Sequence, residues 1–431
     1  MQGDLKNMNK IEDIRKCFPA LQQQVYGKPL VYLDNGATSQ KPQQVIDLIN
    51  QMNKADNANV HRAMHKLSDN ATILYETARD RVKEFINAPE RENIIFTSGA
   101  SAAINLVASC FGGKFLQKND VVIISEDSHH SNIVPWQLIC ERVGAQIRVL
   151  PIKDNGEWDM EKLPQLIDNK VKIIAATHIS NILGLINPVE QLITLAHKNN
   201  IPVLLDGAQG IVHKKIDVQS LDCDFYIFSG HKIYAATGTG VLYGKKDLLE
   251  AMPPYMGGGD MVDTVSFTKT TYAPLPLKYE AGTPNFIGQA TFTPALNFAQ
   301  SLREGEWGLA VAQEEQKIMD YMIKNLQQIK GLTLYGNPYP KNLLPDSPLP
   351  SPTTEKIPIF SFNIEGCFAG DIAQIIDKMG IAVRSGLMCA EPLMSRFGVT
   401  SMVRASFLPY NTLEEAKYFI SSINRSINML R

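Results

Sequence analysis

Between Asn93 and Gly244 the chain alternates short apolar runs with segments of helical periodicity, and this pattern limits its fold more than any other feature. The runs read "NIIFTSG", "SAAINLVASC", "DVVIIS", "NIVPWQLICERVG", "VKIIAATHIS", "QLITLAHKNN", "IPVLLDGAQG" and "FYIFSG". Strand-like and helix-like segments in alternation imply βαβ units, hence a mainly parallel sheet covered by helices. Ligands of such sheets bind beyond the carboxyl ends of the strands, so the chemistry is expected where each run gives way to Gly, Ser, Asp or His. After "EAGTPNFIG" (Glu280 to Gly288) the pattern becomes helical to about Lys330. It then shows the strand-like "LTLYG", "IPIFSFNIEG", "IAVRSG" and "MVRASFLPYN", with "GDIAQIIDKMG" between the second and third. This predicts a smaller α+β lobe, closed by a helix whose start at Thr412 to Glu415, "TLEE", fits a capping box.

At 431 residues the chain exceeds the size of about 250–300 residues at which a single core stops growing. We expect residues 1–35 to join the small lobe, residues 36–289 to form the large lobe, and residues 290–431 to form the small one. The net charge is −2, which gives no general attraction to phosphate backbones or anionic membranes, so nucleic acid is not expected as a partner. The start lacks the apolar core of a secretory signal, and no apolar run approaches the ~20 residues needed to span a bilayer, so no membrane association and a cytoplasmic location are expected. The cysteines at 17, 110, 140, 223, 367 and 389 include no CxxC pair and no Cys/His spacing typical of zinc. Neither a metal nor a disulfide framework is expected, and Cys110, Cys140 and Cys223 read as small core residues. Six prolines between Pro338 and Pro352 mark an exposed, semi-extended loop.

The stretch "DFYIFSGHKIYAATGTG" places Lys232 where an apolar strand runs out. An ammonium leaves water only when it is paired, neutralised or chemically used. Alone, such a lysine reads as a solvated strand end. Earlier in the chain, "VLLDGAQG" puts Asp206 and Gln209 at the end of another apolar strand, where an aspartate alone reads as a helix cap. Together, a lysine able to form a Schiff base and an aspartate able to hold a pyridinium nitrogen are two parts that pyridoxal phosphate chemistry needs. "FTSGASAAINLVA" supplies a strand, then Gly99, Ala100 and Ser101 opening a helix, whose N–H groups and dipole can face a phosphate. Ser229 and His231 would complete that cup. His129, in "EDSHHSNIVPW", follows a further strand end and is placed to stack on a cofactor ring.

The order "VYLDNGAT", "NVHRAMHKLS", "SHHSNIVPWQ", "THISNILG", "VLLDGAQ", "DFYIFSGHK", "EAGTPN", "VRSGLMCA" and "VRASF" resembles the group II, SufS-type cysteine desulfurases of the class V aminotransferases across nearly the whole chain. The resemblance implies the fold type I of pyridoxal 5'-phosphate enzymes, with a mainly parallel seven-stranded sheet in the large lobe. It also implies a homodimer with its sites at the subunit interface, and supply of sulfur for iron–sulfur cluster assembly. By motif, Lys232 resembles the lysine that carries the cofactor, Asp206 the pyridinium partner, Gln209 the ligand of the ring hydroxyl and His129 the stacking ring. Ala100, Ser101, Ser229 and His231 resemble phosphate ligands, and Thr283 resembles the residue that reaches the partner subunit's phosphate. Arg404 resembles the clamp of the substrate carboxylate, where a guanidinium fork suits two oxygens. Asn181 is expected beside it, and Arg384, His61 and Arg62 match positions near the site. Cys389, in a glycine-bearing loop, resembles the nucleophile that takes sulfur from L-cysteine as a persulfide and passes it to an acceptor protein of the SufE or SufU type, a sulfurtransferase reaction that leaves L-alanine.

Three departures stand out: Ser128 before the stacking histidine, Ala235-Ala236 after the lysine, and Leu387-Met388 before the cysteine. Cleavage of L-selenocysteine or cysteine sulfinate by the same chemistry, and a catalytically quiet scaffold for cluster-assembly proteins, stand as alternatives.

Overall fold

The computed structural model describes residues 10–61, 64–339, 352 and 354–431. Arg62 and nearly all of the proline-rich stretch lie outside the described residues. Seven strands form the larger sheet: β1 (Ile94–Thr97), β2 (Val121–Ser125), β3 (Gln146–Leu150), β4 (Val171–Thr177), β5 (Val203–Asp206), β6 (Phe225–Ser229) and β7 (Gly240–Gly244). Their order is β1-β7-β6-β5-β4-β2-β3, and only β7 runs antiparallel to its neighbours. Strands β2, β5, β6 and β7 are buried at every residue, as continuous apolar runs covered by helices on both faces must be. The edge strand β3 carries Gln146 and Arg148 and is partly open to water. Asp206 lies in register with Thr177 and Ile227, so the ends of three adjacent strands form one rim.

Helix α1 (Ala100–Phe115) starts directly after β1, through Gly99 at φ 150°. That turn is packed tightly, because a Cβ on Gly240 of the neighbouring strand would lie 2.4 Å from the Gly99 Cα. Two glycines are therefore required to bring the N-terminus of α1 against the sheet.

The smaller sheet is antiparallel and contains β8 (Leu332–Tyr335), β9 (Ile359–Ile364), β10 (Arg384–Gly386) and β11 (Met402–Ser406), in the order β8-β9-β11-β10. Beneath it lies a separate apolar cluster fed by helix α2 (Gly308–Gln328), helix α3 (Ala369–Asp377) and helix α4 (Leu413–Leu430). The start of α4 is a capping box in which Thr412 and Glu415 satisfy each other's backbone N–H. The segment Val31–Tyr32 pairs in parallel with Ile381–Ala382, and Asp34 bridges to Ser406. A strap from the N-terminal part of the chain thus crosses the smaller lobe and brings Asp34 and Gly36 to the rim of the larger sheet. Helix Phe292–Arg303 and residues Met388 to Met394 share the apolar cluster of the larger sheet, so the two lobes are joined by packing as well as by backbone. No helix among the described residues is long and apolar enough to cross a membrane.

Candidate active site

A cavity of about 180 Å³ opens at the rim of β4, β5 and β6. Its wall includes Lys232, Asp206, Gln209, His129, Arg404 and Cys389. Lys232 ends a single 3-10 turn after β6. Burial pushes its ammonium down to about 8; Arg404 and Arg384 act in the same direction, and Asp206 opposes them. Asp206 is 6% exposed, and its Oδ1 accepts the Ala208 N–H at 3.0 Å. Burial raises its pKa, with Lys232 pulling the other way. Gln209 donates from Nε2 to the Gly36 carbonyl at 2.8 Å, across 173 residues of chain.

At one end of the cavity, Ser229 Oγ accepts the N–H of Ala100 at 2.8 Å, which ties the start of α1 to the end of β6. Ala100, Ser101, Ser229 and His231 all line the cavity there. The imidazole of His231 is pushed down to about 4 by burial, with Lys232 and Lys41 adding to it. It is therefore neutral at physiological pH and able to donate from one ring nitrogen. Its backbone carbonyl accepts from Lys41 Nζ at 2.8 Å and from Ser39 N at 3.1 Å, which fixes the turn that carries Lys232. His129 lines the same cavity. Its Nδ1 accepts the N–H of Ser131 at 3.1 Å, and burial, followed by the charge of Lys232, pushes its pKa to about 3. Its ring is thus uncharged at physiological pH.

At the other end Arg404, 2% exposed, projects from β11. Its Nη1 donates to the Asn181 carbonyl at 3.0 Å and its Nη2 to Asp34 Oδ1 at 3.0 Å, while its Nε has no partner. Asn181 Oδ1 is likewise buried without a partner. A Cβ on Gly36 would stand 2.9 Å from the guanidinium carbon, so only glycine lets the strap lie against this arginine. Arg384 is its cross-strand neighbour and also faces the cavity. Two guanidinium groups facing a single carboxylate leave one positive charge unmatched, which suits an anionic substrate group.

Cys389 sits between β10 and the helix Glu391–Arg396, with its thiol at the cavity wall. Met388 and Cys389 both have positive φ, 50° and 57°, an uncommon pair for residues with side chains. Their carbonyls are held from the larger lobe: Asn181 Nδ2 donates to Met388 O at 3.2 Å and His130 N to Cys389 O at 2.7 Å. Met388 packs into the core, whereas Leu387 is exposed, so the apolar pair divides between interior and surface.

The groups lining the cavity, tested against a ring-bearing phosphate, fit it: an amine, a buried carboxylate, a neutral imidazole and a helix N-terminus converge on one cavity, with the unpaired donor Arg404 Nε and the unpaired acceptor Asn181 Oδ1 beside it. Lys232 would hold pyridoxal 5'-phosphate covalently, Asp206 and His129 its ring, and Ala100, Ser101, Ser229 and His231 its phosphate. Thr283 is exposed and does not line the cavity, and neither does His61, whose Nε2 lies 3.0 Å from Glu76 Oε1. Asp34, Gly36 and His130 belong to the site by geometry and have no role in the sequence reading. Asp34 and Gly36 lie within the quoted "VYLDNGAT", but their pairing with Arg404 spans about 370 residues, beyond any local signal. Cys110, Cys140 and Cys223 are buried, and no group of three metal-binding side chains occurs among the described residues.

The aminotransferase class-V family matches residues 31–419. The chain is 44% identical to a Vibrio cholerae serotype O1 protein named "Probable cysteine desulfurase", over 98% of this chain and 100% of that protein. It is 43% identical to a cysteine desulfurase of Escherichia coli strain SE11, over 97% of this chain and 99% of the relative. The crystal structure of the Escherichia coli cysteine desulfurase CsdA superposes with a TM-score of 0.86 at 35% identity, covering 98% of this chain and 99% of that one.

Proposed function

The chain belongs to the class-V aminotransferase family, within it to the pyridoxal 5'-phosphate-dependent cysteine desulfurases, and from that premise we propose that Cys389 takes the sulfur of L-cysteine as a persulfide. The observation that carries this reading is the position of Cys389, on the wall of the cavity that also holds Lys232, Asp206 and Arg404. Arg404, whose buried Nε has no partner, receives the substrate carboxylate, with Asn181 beside it, and Arg384 adds a second positive charge. Bound in the cavity, the cofactor supplies an electron sink for charge developing at the substrate α carbon. Asp206 would hold the charge on the ring nitrogen, and the neutral His129 would cover the ring without adding a positive charge of its own. Lys232, with its pKa lowered to about 8, is poised to take and return protons near neutral pH. The Cys389 thiolate attacks the substrate sulfur. A bond between the two sulfurs forms, the Cβ–S bond breaks with its electron pair going to Cβ, and a proton taken there completes L-alanine.

The persulfide then passes to an acceptor protein of the SufE or SufU type in the cytoplasm, for cluster assembly. The active unit is a homodimer in which Thr283 reaches the phosphate at the other subunit's site, and His61 and Arg62 serve near the site. The direct test is mass spectrometry of the enzyme incubated with L-cysteine, with alanine and sulfide scored separately. We expect a 32-Da adduct, about one sulfur atom, on Cys389. Cys389→Ser is expected to keep its cofactor and lose the adduct. Full turnover in Cys389→Ser, with sulfur only on Cys17 or Cys367, would refute the assignment.

A further inference from the structure

We infer that His130, a neighbour of the ring-stacking histidine with no role of its own in the reading above, is a positioning residue that hooks the nucleophile loop in its reactive conformation. The inference rests on Cys389 being the nucleophile. His130 touches the loop at two points, at the cysteine and just after it: its N–H donates to the Cys389 carbonyl at 2.7 Å, and its Nε2 accepts the N–H of Glu391 at 3.0 Å. Glu391 is the first residue of the helix Glu391–Arg396, so this N–H has no acceptor within its own helix, and the imidazole provides one from the other lobe.

The loop needs such a hook. Two successive residues at positive φ cost of order 1–3 kcal/mol each, and persist only where surrounding contacts hold them. The local contacts are few: the Ala390 N–H donates to Leu387 O at 3.0 Å, and Met388 is buried. The remaining holds, from Asn181 and His130, both reach across from the larger lobe. Asn181 holds the loop before the cysteine; the His130 backbone holds the cysteine's own carbonyl, and the His130 side chain holds the Glu391 N–H just after it. His129, one residue earlier, faces the same cavity as the thiol. One short segment, His129-His130, thereby sets both the wall over the cofactor ring and the loop that carries the attacking sulfur. The backbone half of the hook survives any substitution; the imidazole half does not.

His130→Leu removes the acceptor and keeps much of the bulk. His130→Gln places an acceptor oxygen about as far along the side chain as Nε2. In the full-length holoenzyme, hydrogen exchange at the Glu391 amide is expected to quicken about three- to tenfold in His130→Leu, the effect of one net hydrogen bond. A comparable fall in kcat for L-cysteine is expected, with KM and the cofactor absorbance unchanged. His130→Gln is expected to restore both exchange and kcat. Unchanged exchange in His130→Leu overturns the inference, and so does failure of His130→Gln to restore it. A fall in kcat that comes with loss of cofactor overturns it too, since His130 would then act on the ring. The sulfur adduct on the parent enzyme answers separately for Cys389, so the two readings fail on different measurements.

Discussion

Lys232 shows how much a single side chain owes to its surroundings. In water its amine would be charged at every physiological pH; here burial and two arginines bring it to about 8, against the pull of Asp206. Only the neutral amine attacks an aldehyde. The rate of covalent cofactor capture by the apoprotein should therefore rise with pH up to about 8 and level off above it, rather than climbing on toward 10.5. Stopped-flow absorbance at a series of pH values reads this directly, and a rate still rising tenfold per unit above pH 9 would contradict it. In Lys232→Ala, borohydride should fix no cofactor to the chain. Most of the site was legible at this scale because Lys232, Asp206, Gln209, His129 and Cys389 each stand just after an apolar strand or glycine turn, where open α/β sheets bind ligands. Asp34 and His130 were not. Their roles come from contacts with Arg404 and Glu391, which lie 370 and 261 residues away and leave no pattern in either local segment.

Strands and helices tell a similar story at the next scale. Five strands of the larger sheet were readable as apolar runs, and their parallel order followed from the helices between them; β3, with Gln146 and Arg148, and the antiparallel β7 were not among them. What no period could reveal was the closeness of β7 to the turn before α1. Gly240 reads as one small residue in a Gly-rich stretch, yet a Cβ there would fall 2.4 Å from the Gly99 Cα, a distance that backbone must yield to. Gly240→Ala should therefore destabilise the protein by about 1–3 kcal/mol and weaken cofactor binding, because the strand would push the N-terminus of α1 away from Ser229. Gly113→Ala is the control. Gly113 lies exposed within α1 with open space around its Cα, so the same substitution should stabilise by about 0.5–1 kcal/mol. Thermal melts of both apoproteins, followed by cofactor titration, test the opposite signs. Equal effects at the two glycines would show that close approach is not what Gly240 provides.

At the scale of the whole molecule, three residues expected near the cofactor do not line the cavity from their own chain or lie outside the described residues: Thr283 is exposed, the His61 ring bonds Glu76, and Arg62 is not described. Nor is Thr283 loosely placed. Glu280, three residues before it, takes Arg79 Nη1 at 2.7 Å, Tyr75 Oη at 2.8 Å and Phe96 N at 2.7 Å, so the "EAGTPN" loop is anchored firmly while facing outward. In the segment before that loop Met256, Val265, Phe267 and Tyr272 are exposed as well. If Thr283 serves the site of the other subunit, defects in trans should complement. Thr283→Asp would set a carboxylate against the partner's phosphate, and Lys232→Ala would remove the covalent anchor; each variant alone should be nearly inactive. Subunit exchange between equal amounts makes half of the dimers hybrid, each with one site carrying both defects and one carrying neither. Activity should then recover to about a quarter of the parent value. If Thr283 served its own chain, each site in the hybrid would carry one defect and the mixture would stay inactive. That outcome would place the site within a single subunit.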